Sequence, residues 1–147
     1  MAAELRILGR HQAHEHDVGF TYNGVTFSQH NLHTFAGLNA VDTRSYVEQA
    51  FACLKAHGQV CARMGAYKPR TSPYSFQGMG AACLPWVFEL AGKYGVRVIS
   101  MEVTREGHVD EINEALHQTG NPTGVMLQIG TRNTQNFELL KAVGRQK

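Results

Sequence analysis

Three cations and two hydroxyl residues lie close together near the middle of the chain. Lys68 and Arg70 are followed by Thr71 and Ser72, and Arg63 comes five residues before Lys68. An unpaired charge inside a protein costs several kcal/mol, so such a segment is expected to face solvent or an anion. Guanidinium, ammonium and hydroxyl groups are the donors that hold phosphates and carboxylates. The segment therefore predicts a binding site for an anionic ligand.

Proline stiffens the backbone around these cations. Pro69 fixes its own φ and favours an extended conformation at Lys68, so the neighbouring charges are held in defined positions. A plain connecting loop, which is the structural alternative for Lys68 and Arg70, has little need of this stiffness.

The cations belong to a regular alternation of strand-like and helix-like patterns. The predicted strands and helices follow one another at 32–36, 44–57, 59–62, 85–91, 96–101, 109–116, 123–129 and 136–143. Four such β-α units with short links predict an α/β fold with a parallel sheet and right-handed crossovers. Ligands bind such folds at the carboxyl ends of the strands, where Asn39, Arg63, Glu102 and Arg132 all fall.

Residues 20–27 precede these units and alternate aromatic with polar side chains around Asn23-Gly24. This pattern is typical of a two-residue β-hairpin. We assign residues 18–31 to an N-terminal hairpin and 32–147 to the β-α units. Residues 1–17 contain histidines that offer zinc or nickel ligands, but a solvated arm, or one lying on a neighbouring subunit, suits a position near a terminus better. The histidines are His11, His14 and His16.

Composition excludes several classes of protein. The net charge is +2, without the basic stripe that nucleic-acid binding requires. No apolar run approaches the ~18 residues of a membrane-spanning helix, and no segment resembles a signal peptide. Charged residues make up 18% of the chain, which suggests that a partner covers part of the surface. Cys53, Cys61 and Cys83 lack metal-binding spacing and are expected to be buried thiols in a reducing cytoplasm.

Two long motifs give the chain a family resemblance. Residues 65–78 read GAYKPRTSPYSFQG, and residues 127–140 read LQIGTRNTQNFELL. Both resemble motifs of the single-barrel 3-deoxy-D-arabino-heptulosonate 7-phosphate (DAHP) synthases. Those enzymes condense phosphoenolpyruvate with erythrose 4-phosphate at the head of the shikimate pathway. The resemblance covers roughly residues 35–147 and implies the (βα)4 N-terminal half of a TIM barrel.

The resemblance also implies roles for individual residues. Arg63, Lys68 and Arg132 match positions that hold the phosphate and carboxylate of phosphoenolpyruvate, although a helix-end salt bridge is the structural alternative for Arg132. Glu102 matches an acidic residue that orients ligand groups through water. Catalysis would then involve Lys68, Arg63 and Glu102, with Lys68 as acid or electrostatic catalyst. The segment that matches the phosphosugar-binding part of the family is Arg70, Thr71 and Ser72.

One departure from the family concerns a metal. The resembled DAHP synthases have Ala-Gly-Pro-Cys after the first strand, with the cysteine as a metal ligand, whereas residues 36–39 here read AGLN. An Asn side chain is a poor ligand for a transition metal. Metal-independent 3-deoxy-octulosonate 8-phosphate synthases, which are related to this family, have Asn at the same place. Asn39 therefore predicts a substrate-binding residue in a site without a metal or another cofactor.

The second departure is that the resemblance ends where the family's fifth strand would begin. The later strands of the family bring another phosphoenolpyruvate-binding lysine, the remaining metal ligands and a phosphate-binding arginine. A four-stranded parallel sheet is expected to leave two open edges and an exposed apolar inner face. We therefore expect two copies to close an eight-stranded barrel, as a homodimer or a larger even oligomer. A separate protein that supplies the second half is the alternative partner.

Three functional hypotheses remain open on the sequence. The first is an enzyme that binds a phosphorylated or carboxylated small molecule and catalyses a modified, metal-independent carbon–carbon reaction of the transferase or lyase type, in a specialised biosynthetic pathway. The second is a non-catalytic binding or regulatory module, or one half of a split DAHP synthase. The third is a remnant, or an engineered half-barrel, whose motifs record ancestry alone.

Overall fold

The computed structural model describes residues 19–146, so the histidine-rich arm expected at 1–17 lies outside the described residues. Within the described range, two antiparallel strands precede four parallel strands and four α-helices in alternation. The strands are β1 Phe20–Tyr22, β2 Val25–Phe27, β3 Ala36–Leu38, β4 Cys61–Met64, β5 Val98–Val103 and β6 Gly124–Ile129. The helices are α1 Arg44–Ala56, α2 Leu84–Tyr94, α3 Gly107–Gln118 and α4 Phe137–Gly144.

The parallel sheet has the order β3-β4-β5-β6, so each strand lies beside the next one along the chain. This order confirms the predicted α/β architecture with its parallel sheet. Local signals set the helix boundaries: Thr43 accepts a hydrogen bond from the backbone N–H of Tyr46 at the start of α1, and Asn136 does the same for Leu139 in α4. Gly95 ends α2 in the left-handed conformation.

The first parallel strand lies later in the chain than the sequence predicted. We expected residues 32–36, but β3 covers Ala36–Leu38, and Leu32 is 93% exposed. The side chain of Asn31 donates to the carbonyl of Thr26 over 2.8 Å, and a ring nitrogen of His33 lies 2.8 Å from the same oxygen. These contacts hold the preceding segment against the hairpin, so it does not join the sheet.

The two faces of the sheet differ in character. Alternate residues of β4 and β5 pack against the helices in the main core, among them Met64, Ile99 and Met101. On the other face, Cys61 and Val98 form a smaller apolar cluster with Val25 of the hairpin. The expectation of a bare apolar inner face was therefore wrong for this part of the sheet, because the hairpin covers it.

Polar side chains occupy the carboxyl half of the same inner face. By the two-residue alternation of a strand, Arg63 and Glu102 project on the side of Cys61 and Val98. Gln128 of β6 lies beside Glu102 in the register. The inner face thus changes from apolar at the hairpin to charged at the carboxyl ends of the strands.

The hairpin is attached to the sheet through Tyr22. Its hydroxyl donates to the carbonyl of Val125 over 3.2 Å and accepts from the N–H of Val125 over 3.0 Å. The turn residue Asn23 donates to the carbonyl of Arg97 over 2.7 Å, and Asn23 and Gly24 both have positive φ, as a type I′ turn requires. These bonds place the hairpin beneath β5 and β6.

The cysteines follow the expectation only in part. Cys61 and Cys83 are buried, but Cys53 is exposed. The buried residues of α1 are Val47, Phe51 and Leu54, so Cys53 falls on the solvent side of that helix. Among residues 19–146, no helix has both the length and the apolar character needed to cross a membrane.

A candidate anion site at the carboxyl edge of the sheet

Three of the candidate site residues meet on the inner face. Glu102 of β5 is 7% exposed, and its Oε2 lies 3.6 Å from Nζ of Lys68 and 4.0 Å from Nη2 of Arg63. Arg63 belongs to β4, and Lys68 follows that strand by four residues, so adjacent parallel strands bring the three charges together. Because two cations share one buried carboxylate, the three side chains together carry a formal charge of +1. We call Arg63, Lys68 and Glu102 the charged trio.

A glycine after β6 makes room for the carboxylate of the trio. A Cβ built on Gly130 would lie 2.0 Å from Oε1 of Glu102, a separation that atoms cannot adopt. The absence of a side chain at Gly130 therefore allows Glu102 to occupy its position. Sequence reasoning missed this residue, because a glycine after a strand carries no sign of which side chain it admits.

The loop that carries Lys68 is closed at its base by backbone contacts. The N–H of Lys68 donates to the carbonyl of Gln77 over 2.8 Å, and the N–H of Gly80 donates to the carbonyl of Ala66 over 3.0 Å. Gly78 has a φ of +88°, and a Cβ there would lie 2.2 Å from the carbonyl oxygen of Ala66. The closed base holds the backbone of Lys68 near the ends of the strands.

The phosphosugar-binding candidates lie in the outer part of this loop. Arg70 is exposed and donates from Nε to the carbonyl of Phe76 over 3.1 Å. Thr71 is exposed, and Oγ of the half-buried Ser72 accepts from the N–H of Tyr74 over 3.3 Å. Within residues 19–146, these side chains make no hydrogen bond or ion pair with the charged trio.

Asn39 and Arg132 are at the same edge of the sheet but are not joined to the trio. Asn39 directly follows β3, and Arg132 lies in the 3-10 turn Thr131–Asn133 after β6. Both side chains are exposed, and among the described residues neither bonds to a member of the trio. The carbonyl of Asn39 packs against Gly65, where a Cβ would lie 2.1 Å from that oxygen.

A second polar cluster lies beside the loop, and sequence reasoning did not find it. The ring of Tyr67 stacks on that of His108 with 3.6 Å between centroids, and the Tyr67 hydroxyl donates to Oε2 of Glu111 over 2.7 Å. Arg105 donates to Oε1 of the same carboxylate. This cluster joins the loop to α3. No local pattern announces it, because Tyr67 and Glu111 are 44 residues apart in the chain.

Burial and hydrogen bonds shift the pKa values in this cluster. Burial lowers the pKa of His108 to about 4, with a further contribution from the charge of Arg105. Burial and the hydrogen bond to Glu111 raise the pKa of Tyr67. Burial alone would raise the pKa of Glu111, but the hydrogen bonds from Tyr67 and Arg105 outweigh it and lower that pKa. At neutral pH the cluster therefore holds a neutral imidazole, a phenol and one ion pair.

Comparison with known proteins places this fold and sequence among DAHP synthases. The DAHP synthetase I family matches residues 20–147. The phospho-2-dehydro-3-deoxyheptonate aldolase of Thermotoga maritima is 39% identical over 109 residues, which are 74% of this chain and 30% of that protein.

Solved structures show the same likeness. A crystal structure of phospho-2-dehydro-3-deoxyheptonate aldolase (DAHP synthase) from Thermotoga maritima has a TM-score of 0.73 at 34% identity, over 87% of this chain and 35% of that one. A truncated 3-deoxy-D-arabino-heptulosonate 7-phosphate synthase from the same organism has a TM-score of 0.70 at 26% identity, over 90% and 44%. The chain thus spans between about a third and somewhat less than half of the length of these relatives.

Proposed function

The chain belongs to the DAHP synthetase I family, and from this premise we propose that its carboxyl-edge site binds a small phosphorylated or carboxylated molecule of the phosphoenolpyruvate type. The observation that supports the proposal most directly is the charged trio. One carboxylate is shared by an ammonium and a guanidinium, so an arriving anion finds two cations that are already positioned. The anion would take over contacts that Glu102 supplies in its absence.

We assign the remaining candidates by their position in the family motifs. Arg132 would add a guanidinium to the phosphate or carboxylate held by Arg63 and Lys68, and Asn39 would contact the same ligand from β3. A second, sugar-phosphate ligand would lie against the outer loop. Since Arg70 makes one hydrogen bond within its own loop, the other N–H groups of its guanidinium stay available for that phosphate. The loop residues in this role are Arg70, Thr71 and Ser72.

We propose carbon–carbon bond formation between these two ligands, without a metal step. The terminal enol carbon of the phosphoenolpyruvate-like ligand would bond to the aldehyde carbon of the sugar phosphate, and the aldehyde oxygen would take a proton. Water would add at the carbon that carries the phosphate, and inorganic phosphate would leave. Lys68 would donate a proton or stabilise negative charge on the phosphoenolpyruvate-like ligand, and Glu102 would orient it. At Asn39 the chain has an amide, which is a poor ligand for a transition metal, where the resembled synthases have a cysteine ligand.

We further propose that two copies complete the barrel. Strands β3 and β6 are the edges of the described sheet, and each presents backbone groups that a second copy could pair. Residues 32–147 would act as one half-barrel and the 18–31 hairpin as its lower closure. Light scattering tests this assembly: a mass of twice 16.3 kDa, or an even multiple, supports it, and a monomer contradicts it. Recovery of activity only after a second-half protein is added would favour the split-synthase alternative.

Thermal unfolding with and without phosphoenolpyruvate or inorganic phosphate tests the ligand site. We expect millimolar ligand to raise the melting temperature, because binding to the folded state alone stabilises it. Lys68→Met should abolish most of the increase. Lys141→Met is the matched control, since Lys141 is exposed on α4 and pairs only with Glu138 among the described residues. An equal increase in both variants would contradict the site assignment.

Turnover separates an enzyme from a binding module. Phosphate release from phosphoenolpyruvate, measured with erythrose 4-phosphate and other small aldose phosphates, should depend on Lys68 if the protein is a catalyst. Binding without phosphate release from any of these pairs would favour the non-catalytic module.

A further inference from the structure

A cavity of about 470 Å³ lies between the loop that follows β4 and the beginning of α3. Its polar lining includes Tyr67, His108, Arg105 and Glu111, and its apolar lining includes Pro69, Met79 and two glycines of the loop. Lys68 also lines the cavity, and its Nζ is paired with Glu102 in the charged trio. The cavity therefore has a set of polar groups that the proposed function does not use.

His108 presents an unused donor in this lining. The residue is 6% exposed, and its Nδ1 lies 3.2 Å from the backbone nitrogen of Thr104. An amide N–H can only donate, so Nδ1 is the acceptor and the proton of the neutral imidazole is on Nε2. Among residues 19–146, Nε2 has no hydrogen-bond partner. A buried donor without an acceptor is costly, and a ligand oxygen in the cavity would satisfy it.

The surroundings of His108 favour an anion over a cation. Arg105 lines the cavity, and its guanidinium donates one N–H to Glu111, which leaves its other N–H groups available. Helix α3 begins here at Gly107, and its N-cap residue Glu106 makes no side-chain capping bond. The positive end of this 12-residue helix adds to the preference for negative charge.

The charge of Glu111 limits how much negative charge the cavity can accept. Its two oxygens already accept from Tyr67 and Arg105, so the carboxylate is paired but keeps its formal charge. This charge opposes a phosphate dianion more strongly than a single carboxylate. The apolar wall formed by Pro69 and Met79 suits a ligand with a short hydrocarbon part.

We propose that the cavity between the Lys68 loop and α3 is a second ligand site, for a small organic monocarboxylate. One carboxylate oxygen accepts from Nε2 of His108 and the other from the guanidinium of Arg105. The hydrocarbon part packs against Met79 and Pro69. The site adjoins the charged trio at Lys68 but is centred on His108 and Arg105, and its occupancy does not require the proposed reaction.

Nuclear magnetic resonance of the full chain with ¹⁵N-labelled histidine tests this site. We expect butanoate to shift the Nε2 resonance of His108 in a saturable way, and acetate to bind more weakly because it lacks the longer hydrocarbon part. Inorganic phosphate should bind at least several-fold more weakly than butanoate. A linear, non-saturating response to butanoate, or equal affinity for phosphate and butanoate, would overturn the proposal.

Two variants separate this site from the anion site. Arg105→Met should weaken butanoate binding about tenfold, because one charged hydrogen bond is lost. Arg145→Met, at an exposed position after α4, is the control and should leave it unchanged. Arg63→Met removes a cation of the trio that does not line the cavity, so it should retain butanoate binding while losing the response to phosphoenolpyruvate. Separate titrations with phosphoenolpyruvate and with butanoate then show whether ligand binding at the trio, at the cavity or at both is absent.

Discussion

Lys68 and Glu102 form an ion pair whose Nζ–Oε2 distance is 3.6 Å, and the same carboxylate oxygen faces the guanidinium of Arg63. The side chain of Lys68 is 15% exposed and that of Glu102 is 8% exposed, so both charges are largely removed from water. Each therefore depends on its partner, because an uncompensated buried charge is strongly destabilising. In the ligand-free protein, Glu102 supplies the negative charge that an anionic ligand would bring.

Glu102→Gln should destabilise the free protein and strengthen phosphate binding. The variant keeps the side-chain shape but removes the only negative charge of the trio, so we expect a loss of about 1–3 kcal/mol in the free energy of unfolding. An added anion then restores the missing partner of Lys68 and Arg63. Calorimetric titration at low and moderate ionic strength measures the affinity, which should rise and become more salt-dependent. Weaker phosphate binding in the variant would contradict this role of Glu102.

Gly130→Ala should displace the carboxylate of Glu102. The added Cβ would overlap with Oε1, so either the side chain of Glu102 or the backbone after β6 must move. We expect a loss of about 2 kcal/mol in stability. Phosphate affinity should rise, as in Glu102→Gln, because a displaced carboxylate competes less well for Lys68 and Arg63. Chemical denaturation and phosphate titration measure the two effects.

Gly144→Ala is the control for Gly130→Ala. Gly144 is the last residue of α4, and a Cβ there has no atom within 4 Å. Alanine at this position should leave the protein as stable or slightly more stable. Equal behaviour of the two variants would mean that Gly130 does not hold the carboxylate in place.

Gly78→Ala should open the base of the Lys68 loop. The position combines a φ of +88° with a Cβ only 2.2 Å from the carbonyl oxygen of Ala66, so the backbone itself must shift. We expect a loss of about 2–4 kcal/mol in unfolding free energy. Gly58→Ala measures the cost of the positive φ alone, because Gly58 has a φ of +66° and no atom lies near the added Cβ. This control variant should lose about 1 kcal/mol of unfolding free energy. Denaturant titration compares the two.

His108 should make the protein less stable in moderate acid. Its pKa falls from the ordinary 6.5 to about 4 in the folded protein, because burial and Arg105 oppose the charged ring, while the stacked Tyr67 is neutral and Glu111 partly counteracts the shift. Between these pH values the unfolded chain binds more protons, so stability decreases as pH falls from about 6.5 to about 4. We expect His108 to account for about 2 kcal/mol of the difference in stability between pH 7 and pH 4.5.

A comparison with His108→Phe measures that contribution, since phenylalanine keeps a ring beside Tyr67 but does not titrate. The difference in unfolding free energy between the wild type and the variant should change by about 2 kcal/mol between pH 7 and pH 4.5. A constant difference would show that His108 titrates normally in the folded protein.

Local patterns were sufficient to predict the helices and most of the parallel strands. The apolar spacing of Val47, Phe51 and Leu54 sets the buried face of α1, and Gly95 ends α2, so these elements depend on nearby residues. The β3 boundary depends instead on Asn31 and His33 bonding back to the hairpin. A run of apolar residues does not reveal that these hydrogen bonds compete with strand pairing, so the predicted strand began too early in the chain.

The charged trio was foreseen in its members but not in its geometry. Residues that follow adjacent parallel strands must lie at the same edge, so Arg63 and Glu102 could be grouped from the alternation of elements. The space that Gly130 leaves for Glu102, and the bond from Tyr67 to Glu111, arise only when separate β-α units pack together. Such contacts depend on crossover geometry, which no local pattern encodes.

The hydroxyl of Tyr22 has a consequence for any strand that pairs with the free edge of β6. In a parallel strand, the N–H and C=O of one residue point to the same side, and alternate residues face opposite neighbours. Since Tyr22 bonds both groups of Val125, the backbone groups of Leu127 and Ile129 face the same edge. An incoming strand can therefore begin pairing only beyond Val125, so a single phenol excludes every pairing register that uses the backbone of that residue.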